Sequence, residues 1–72
     1  MGTGQRVLVV DDETSIRRYL RAALTAQGLS VYEAAAGQEA LNAVLIHRPD
    51  LIILDLGLPD IDGIEVTRRL RE

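Results

Sequence analysis

The 72 residues predict an α/β fold: a doubly wound parallel sheet in strand order 2-1-3, built as β-α-β-α-β-α. Two uninterrupted apolar runs, Val7 to Val10 and Leu51 to Leu54, have the length and composition of buried strands, and such runs are typical of parallel sheets covered by helices. Segments with helical periodicity lie between and after them, so strand and helix alternate at intervals of roughly 20–25 residues, as in parallel α/β sheets. Right-handed crossovers then make 2-1-3 the economical order, with the first and third strands side by side.

The first strand is Val7-Leu8-Val9-Val10, rich in β-branched residues, and residues 1–5 before it read as a frayed lead. After it, Thr14 and Ser15 are candidate caps. Ile16, Leu20, Ala23 and Leu24 recur at helical spacing, with Arg17, Arg18 and Arg21 expected on a solvated face rather than in a phosphate-binding patch. Tyr19 reads as helix packing, and Gly28 suits the left-handed residue beyond the helix end.

Leu29 to Ala34 has the residue types of a short edge strand. Gly37 breaks the chain, and Gln38 to His47 follows as a helix with Leu41, Val44 and Leu45 facing inward and Pro49 enforcing its stop. His47, the only histidine, sits where a cation suits the helix dipole, and no second His or Cys stands at ligand spacing. The third strand, Leu51 to Leu54, reads as buried on both faces. Asp62 with Glu65 then has capping-box spacing, and a last helix presents Ile64 and Leu70, with Val66 or Thr67 between.

A single domain is the most that 72 residues allow, and a chain this short buries only about 60% of its unfolded surface. The apolar fraction of 47% is ordinary for a globular protein, and a net charge of −3 gives no reason to expect this segment to bind nucleic acid. There is no cysteine, which excludes disulfide frameworks and zinc–thiolate sites and fits a cytoplasmic setting. No stretch has the apolar length of a membrane span or signal peptide. All eight basic residues are arginine.

Each of the two strong strands ends in acid: Asp11-Asp12-Glu13 after the first, Asp55 after the third. Open α/β sheets place ligands at the carboxyl ends of their strands. Adjacent strands lie about 4.8 Å apart, so Asp11, Asp12 and Asp55 are expected to crowd into one pocket. Carboxylates that close repel one another, and a hard divalent cation, Mg2+ above all, relieves the repulsion. On its own, Asp55 could merely start a turn. The second strand-to-acid junction weighs against that reading.

With those positions placed, the chain resembles the first part of a response-regulator receiver domain, the phospho-accepting module of two-component signalling. The resemblance rests on VLVVDDE at Val7 to Glu13 and on D-x-x-L-P-x-x-D-G at Asp55, Leu58, Pro59, Asp62 and Gly63. The wording PDLIILDLGLPD is similar more narrowly to the KdpE type of regulator, which governs potassium-transport genes. A receiver protein, CheY, is a standard example of the flavodoxin-like strand order, so the resemblance itself implies a flavodoxin-like (CheY-like) fold.

The resemblance also implies roles. Asp55 would be the nucleophile that takes a phosphoryl group from a sensor histidine kinase, forming an acyl phosphate. Mg2+ would be held directly by Asp12, by Asp11 directly or through water, by Asp55, and by the backbone carbonyl of Gly57, offsetting charge on the phosphoryl oxygens. Pro59 would stiffen the loop, and Asp62 and Gly63 would be structural. Such a module is not an enzyme beyond autophosphorylation from a phosphodonor and slow autodephosphorylation.

Receivers continue through two more strand–helix units, with a Ser or Thr and then a Lys near the phosphoryl group, and this sequence has no lysine. The expectation is that residues 6–72 form the N-terminal part of a receiver, without the later units or any DNA-binding effector domain. The third strand then becomes an open edge beside uncovered apolar surface, and a homo-oligomer sharing that region is expected. The rival reading is a structural half-receiver that folds by self-association and is not productively phosphorylated. An aspartyl-phosphate hydrolase of the haloacid dehalogenase type needs a second Asp where Gly57 stands. Nucleotide-binding glycine motifs are absent.

Overall fold

A computed structural model describes residues 5–55, 59–60 and 63–70. Its elements are β1 (Arg6–Val10), α1 (Thr14–Ala26), β2 (Ser30–Ala34), α2 (Gly37–His47), β3 (Leu51–Leu54) and α3 (Gly63–Leu70). The sheet is parallel with order β2-β1-β3, as the alternation of elements predicts. Val10, the last residue of β1, lies opposite both Ala34 and Leu54, so the three strands end level. At the other end, the ladder reaches back to Gln5, whose carbonyl accepts the Ser30 N–H at 2.9 Å.

Side chains alternate across the sheet and build a core on each face. On one face Leu8, Val10 and Ala34 pack with Ala40 and Ala43 of α2 and Val66 of α3, supported by Tyr32, Leu41, Val44, Ile52 and Leu54. On the other, Val7, Val9 and Val31 pack beneath Leu20 and Leu24 of α1, with Leu29 and Ile53. Burial of each such Val or Leu contributes about 1.5–3 kcal/mol, so β1, buried from Val7 to Val10, is the spine of the fold.

Several sequence expectations change at the level of the helix faces. Neither Thr14 nor Ser15 caps α1: Glu13 holds the cap position with extended backbone and no side-chain cap bond. Gly28 does take the left-handed conformation, at φ 86°, beyond the cap residue Gln27. Ile16 and Ala23 are exposed, because α1 turns Leu20 and Leu24 to the core over β1 and β2. Gly37 does not break the chain; it is the buried first residue of α2. Leu45 is 77% exposed, because α2 turns its small residues Ala40 and Ala43 to the sheet and each residue advances the face by about 100°. In α3 the same rotation buries Val66 and leaves Ile64 outside.

The arginines of α1 are not simply a solvated face. Arg17 and Arg21 reach across to Glu33 of β2, and the Arg17 side chain is only 15% exposed. β3 is the edge strand that the 2-1-3 order implies, but it is not buried on both faces: Leu51 is exposed, and Ile52 to Leu54 are half-buried. His47 stacks on Tyr32 with ring centroids 3.9 Å apart, a packing role. Among the described residues no helix is long and apolar enough to cross a membrane.

Candidate functional site

The site grows out of the level strand ends. Beyond β1, the Asp11 N–H continues the ladder to the Ala34 carbonyl at 3.1 Å. The Asp11 Oδ1 then accepts the Glu13 N–H at 2.9 Å, a local turn that steers the chain into α1. From α1, Arg17 Nη1 donates to the Asp11 backbone carbonyl at 2.6 Å. Beyond β3, the Asp55 N–H donates to the Val10 carbonyl at 2.9 Å. Both acids are thus held by backbone one residue past a strand.

This geometry brings carboxylate oxygens of Asp11, Asp12 and Asp55 within 4.8 Å of one another, with Asp11 and Asp55 half-buried and Asp12 exposed. An all-oxygen, all-anionic donor set suits a hard divalent cation. Octahedral Mg2+ holds its ligand oxygens at about 2.0–2.1 Å, which sets neighbouring oxygens about 3 Å and opposite ones about 4 Å apart, so carboxylate oxygens gathered within 4.8 Å are on the scale of one cation's ligand shell. The residues present therefore fit the ion.

Of the other residues singled out in the sequence, Gly57 and Asp62 lie outside the described residues, as does the capping-box partnership of Asp62. Glu65 pairs with Arg68 and, at 3.0 Å, with Arg69. These hydrogen bonds hold the Glu65 carboxyl below the usual carboxylate range. Pro59 is exposed.

Asp60 has a role that sequence reading missed. Its two carboxylate oxygens accept the N–H groups of Gly37 at 2.7 Å and Gln38 at 3.0 Å, capping α2 from a loop 22–23 residues away. The one local signal was negative: Ala36, at the cap position, has no side chain able to do so. A shallow groove along α1, lined by Arg18, Arg21, Ala22, Thr25 and Ala26, lies apart from the acids.

Strands ending level in clustered carboxylates, with this order and register, match a known family. The family model described as the response regulator receiver domain covers residues 7–72. The chain belongs to the response-regulator receiver family. Among curated relatives of this receiver, the KDP operon transcriptional regulatory protein KdpE of Escherichia coli (strain K12) is 56% identical over 66 residues, 92% of this chain and 29% of that protein. The receiver thus spans less than a third of the relative it matches. The chemotaxis response regulator CheY4 of Vibrio cholerae superposes with a TM-score of 0.92 at 39% identity, over 96% of this chain and 57% of that one. The response regulator TrrA of Thermotoga maritima, solved in complex with Mg2+-BeF, gives 0.89 at 41% identity, over 94% and 59% of the two chains.

Proposed function

We propose that Asp55 is the phosphoacceptor of this receiver and that Asp11 and Asp12, with Asp55, hold Mg2+ beside it, the Gly57 carbonyl adding a fourth oxygen. The observation that carries the reading is the gathering of the three carboxylates within 4.8 Å at adjacent strand ends of a receiver fold. TrrA in complex with Mg2+-BeF supports it by likeness.

The donor is a phosphohistidine on a sensor histidine kinase. An Asp55 carboxylate oxygen attacks phosphorus, the O–P bond forms as the P–N bond breaks, and the departing imidazole takes a proton from solvent. The Val10 carbonyl, accepting from the Asp55 N–H, fixes where that nucleophile stands. Asp11 and Asp12 would by themselves repel an incoming phosphoryl group, so their value lies in binding a cation. When bound, Mg2+ supplies positive charge against which the phosphoryl oxygens develop theirs.

The setting is cytoplasmic, and DNA is reached only through an effector domain in a longer regulator. Incubation with Mg2+ and a small phosphodonor is expected to give a hydroxylamine-labile phosphate that Asp55→Asn abolishes. A wild-type chain that gains no phosphate supports the structural half-receiver instead. One observation favours self-association whichever holds: among the described residues β3 pairs with β1 alone, and Leu51 beside its open edge is 55% exposed. The 72-residue chain pairs with a second copy through this edge or the apolar face next to it.

A further inference from the structure

Two described residues between β3 and α3 are tied to other elements. The first is Asp55 itself, tied to β1 through the Val10 carbonyl. The second is Asp60, five positions on, whose carboxylate holds the start of α2. No local residue does this work for α2: its cap position is Ala36, without a side-chain cap bond. Orphan N–H groups at a helix start need acceptors, and a carboxylate there is also favoured by the helix dipole. The same strand-to-helix junction is tied to the site from the other side, since the Ala34 carbonyl accepts the Asp11 N–H. Asp60 therefore joins the two acid-bearing junctions: the Asp11 N–H bonds to Ala34, the chain from Ala34 leads to Gly37 and Gln38, these bond to Asp60, and Asp55, five positions before Asp60 in the sequence, bonds to Val10 beside Asp11.

We propose that Asp60 is a positioning residue for the acidic cluster: by capping α2 it ties a point five residues after Asp55 to the β2–α2 junction and so sets how tightly Asp11, Asp12 and Asp55 hold a divalent cation. The inference rests on the metal reading above. Outer-shell groups that orient ligands commonly govern metal affinity without touching the metal. Coupling of this kind is reciprocal, so cation binding must in turn tighten the Asp60 cap.

The test is calorimetric titration of MgCl2 into the 72-residue chain and three variants, with amide hydrogen exchange at Gly37 and Gln38. Asp60→Ala is expected to weaken Mg2+ binding about three- to tenfold, and Asp60→Asn, which keeps one acceptor oxygen, to recover it to within about twofold of wild type. Glu39→Ala is the control for simple loss of helix stability. Its carboxylate accepts the Ala35 N–H at the same helix start and, among the described residues, makes no bond to Pro59 or Asp60, so the variant's affinity is expected to stay at the wild-type value. Mg2+ slows exchange at Gly37 and Gln38 in wild type and not in Asp60→Ala.

Wild-type affinity in Asp60→Ala overturns the proposal, as does an Asp60→Asn variant no better than Asp60→Ala, which would leave only the lost charge. Equal weakening by Glu39→Ala reduces Asp60 to a stabiliser of α2 and overturns it too. A wild-type chain that binds no Mg2+ removes the metal reading itself, a failure seen in a different arm.

Discussion

The guanidinium of Arg17 donates to the backbone carbonyl of Asp11 at 2.6 Å, while its Nε meets Glu33 at 3.1 Å. One side chain of α1 thus joins the tip of β1 to β2. Arg17→Ala is expected to destabilise the fold by about 1–3 kcal/mol in urea unfolding, because a half-buried carbonyl and a carboxylate both lose a charged donor. Arg17→Lys falls between, since a single ammonium cannot span both acceptors as the planar fork does.

Glu33 gives a pH signature. Its hydrogen bond to Arg21 is the main cause that holds its carboxyl below the ordinary 4.5; burial opposes this, and the charge of Arg21 and the bond to Arg17 reinforce it. A carboxyl whose folded value is lowered stabilises the fold above its unfolded value, and that stability is lost as pH falls through the folded value. Glu33→Gln is therefore expected to be less stable than wild type near neutral pH, with the gap shrinking as pH drops below about 4.5. Urea midpoints of both proteins across that range check it; a gap independent of pH would contradict the assignment.

The two leucines Leu8 and Leu45 should behave oppositely. Leu8 is 1% exposed at the centre of one core, and Leu8→Ala is expected to cost about 2–5 kcal/mol. Leu45→Ala, on the outer face of α2, is expected to stay within about 0.5 kcal/mol of wild type. The same urea measurement separates them, and a large loss in Leu45→Ala would mean that its face is covered in solution by a second copy.

That contrast shows what was legible in the sequence. The strands were, because an uninterrupted apolar run such as Val7 to Val10 has few other uses, and the acids were found because each stands at the abrupt end of such a run. Helix faces were less so: size alone favoured Leu45 and Ile64 as core, yet close packing on the sheet selects Ala40, Ala43 and Val66. Long-range polar pairs left no local trace. Glu33 lies 16 positions from Arg17, and Asp60 lies 22–23 from the amides it caps; nothing in their own neighbourhoods names those partners.

Self-association through the β3 side is checked by sedimentation equilibrium. The 72-residue chain is expected to run as a dimer or larger species at micromolar concentration, and Leu51→Lys, which places a charge at the open edge, is expected to shift it toward monomer. A well-folded wild-type monomer under those conditions would contradict the proposal.

The central claim is that Asp11, Asp12 and Asp55 share one divalent cation. Its most direct test is Mg2+ titration, followed by the amide NMR signals of residues 10–13 and 55, of wild type, Asp12→Asn and Asp55→Asn. The account predicts one saturable site in wild type, moving the signals of both strand ends together with a single affinity, and severe weakening in either variant. Signals at the two strand ends that titrate with different affinities, or an Asp12→Asn variant that binds as wild type does, would contradict it.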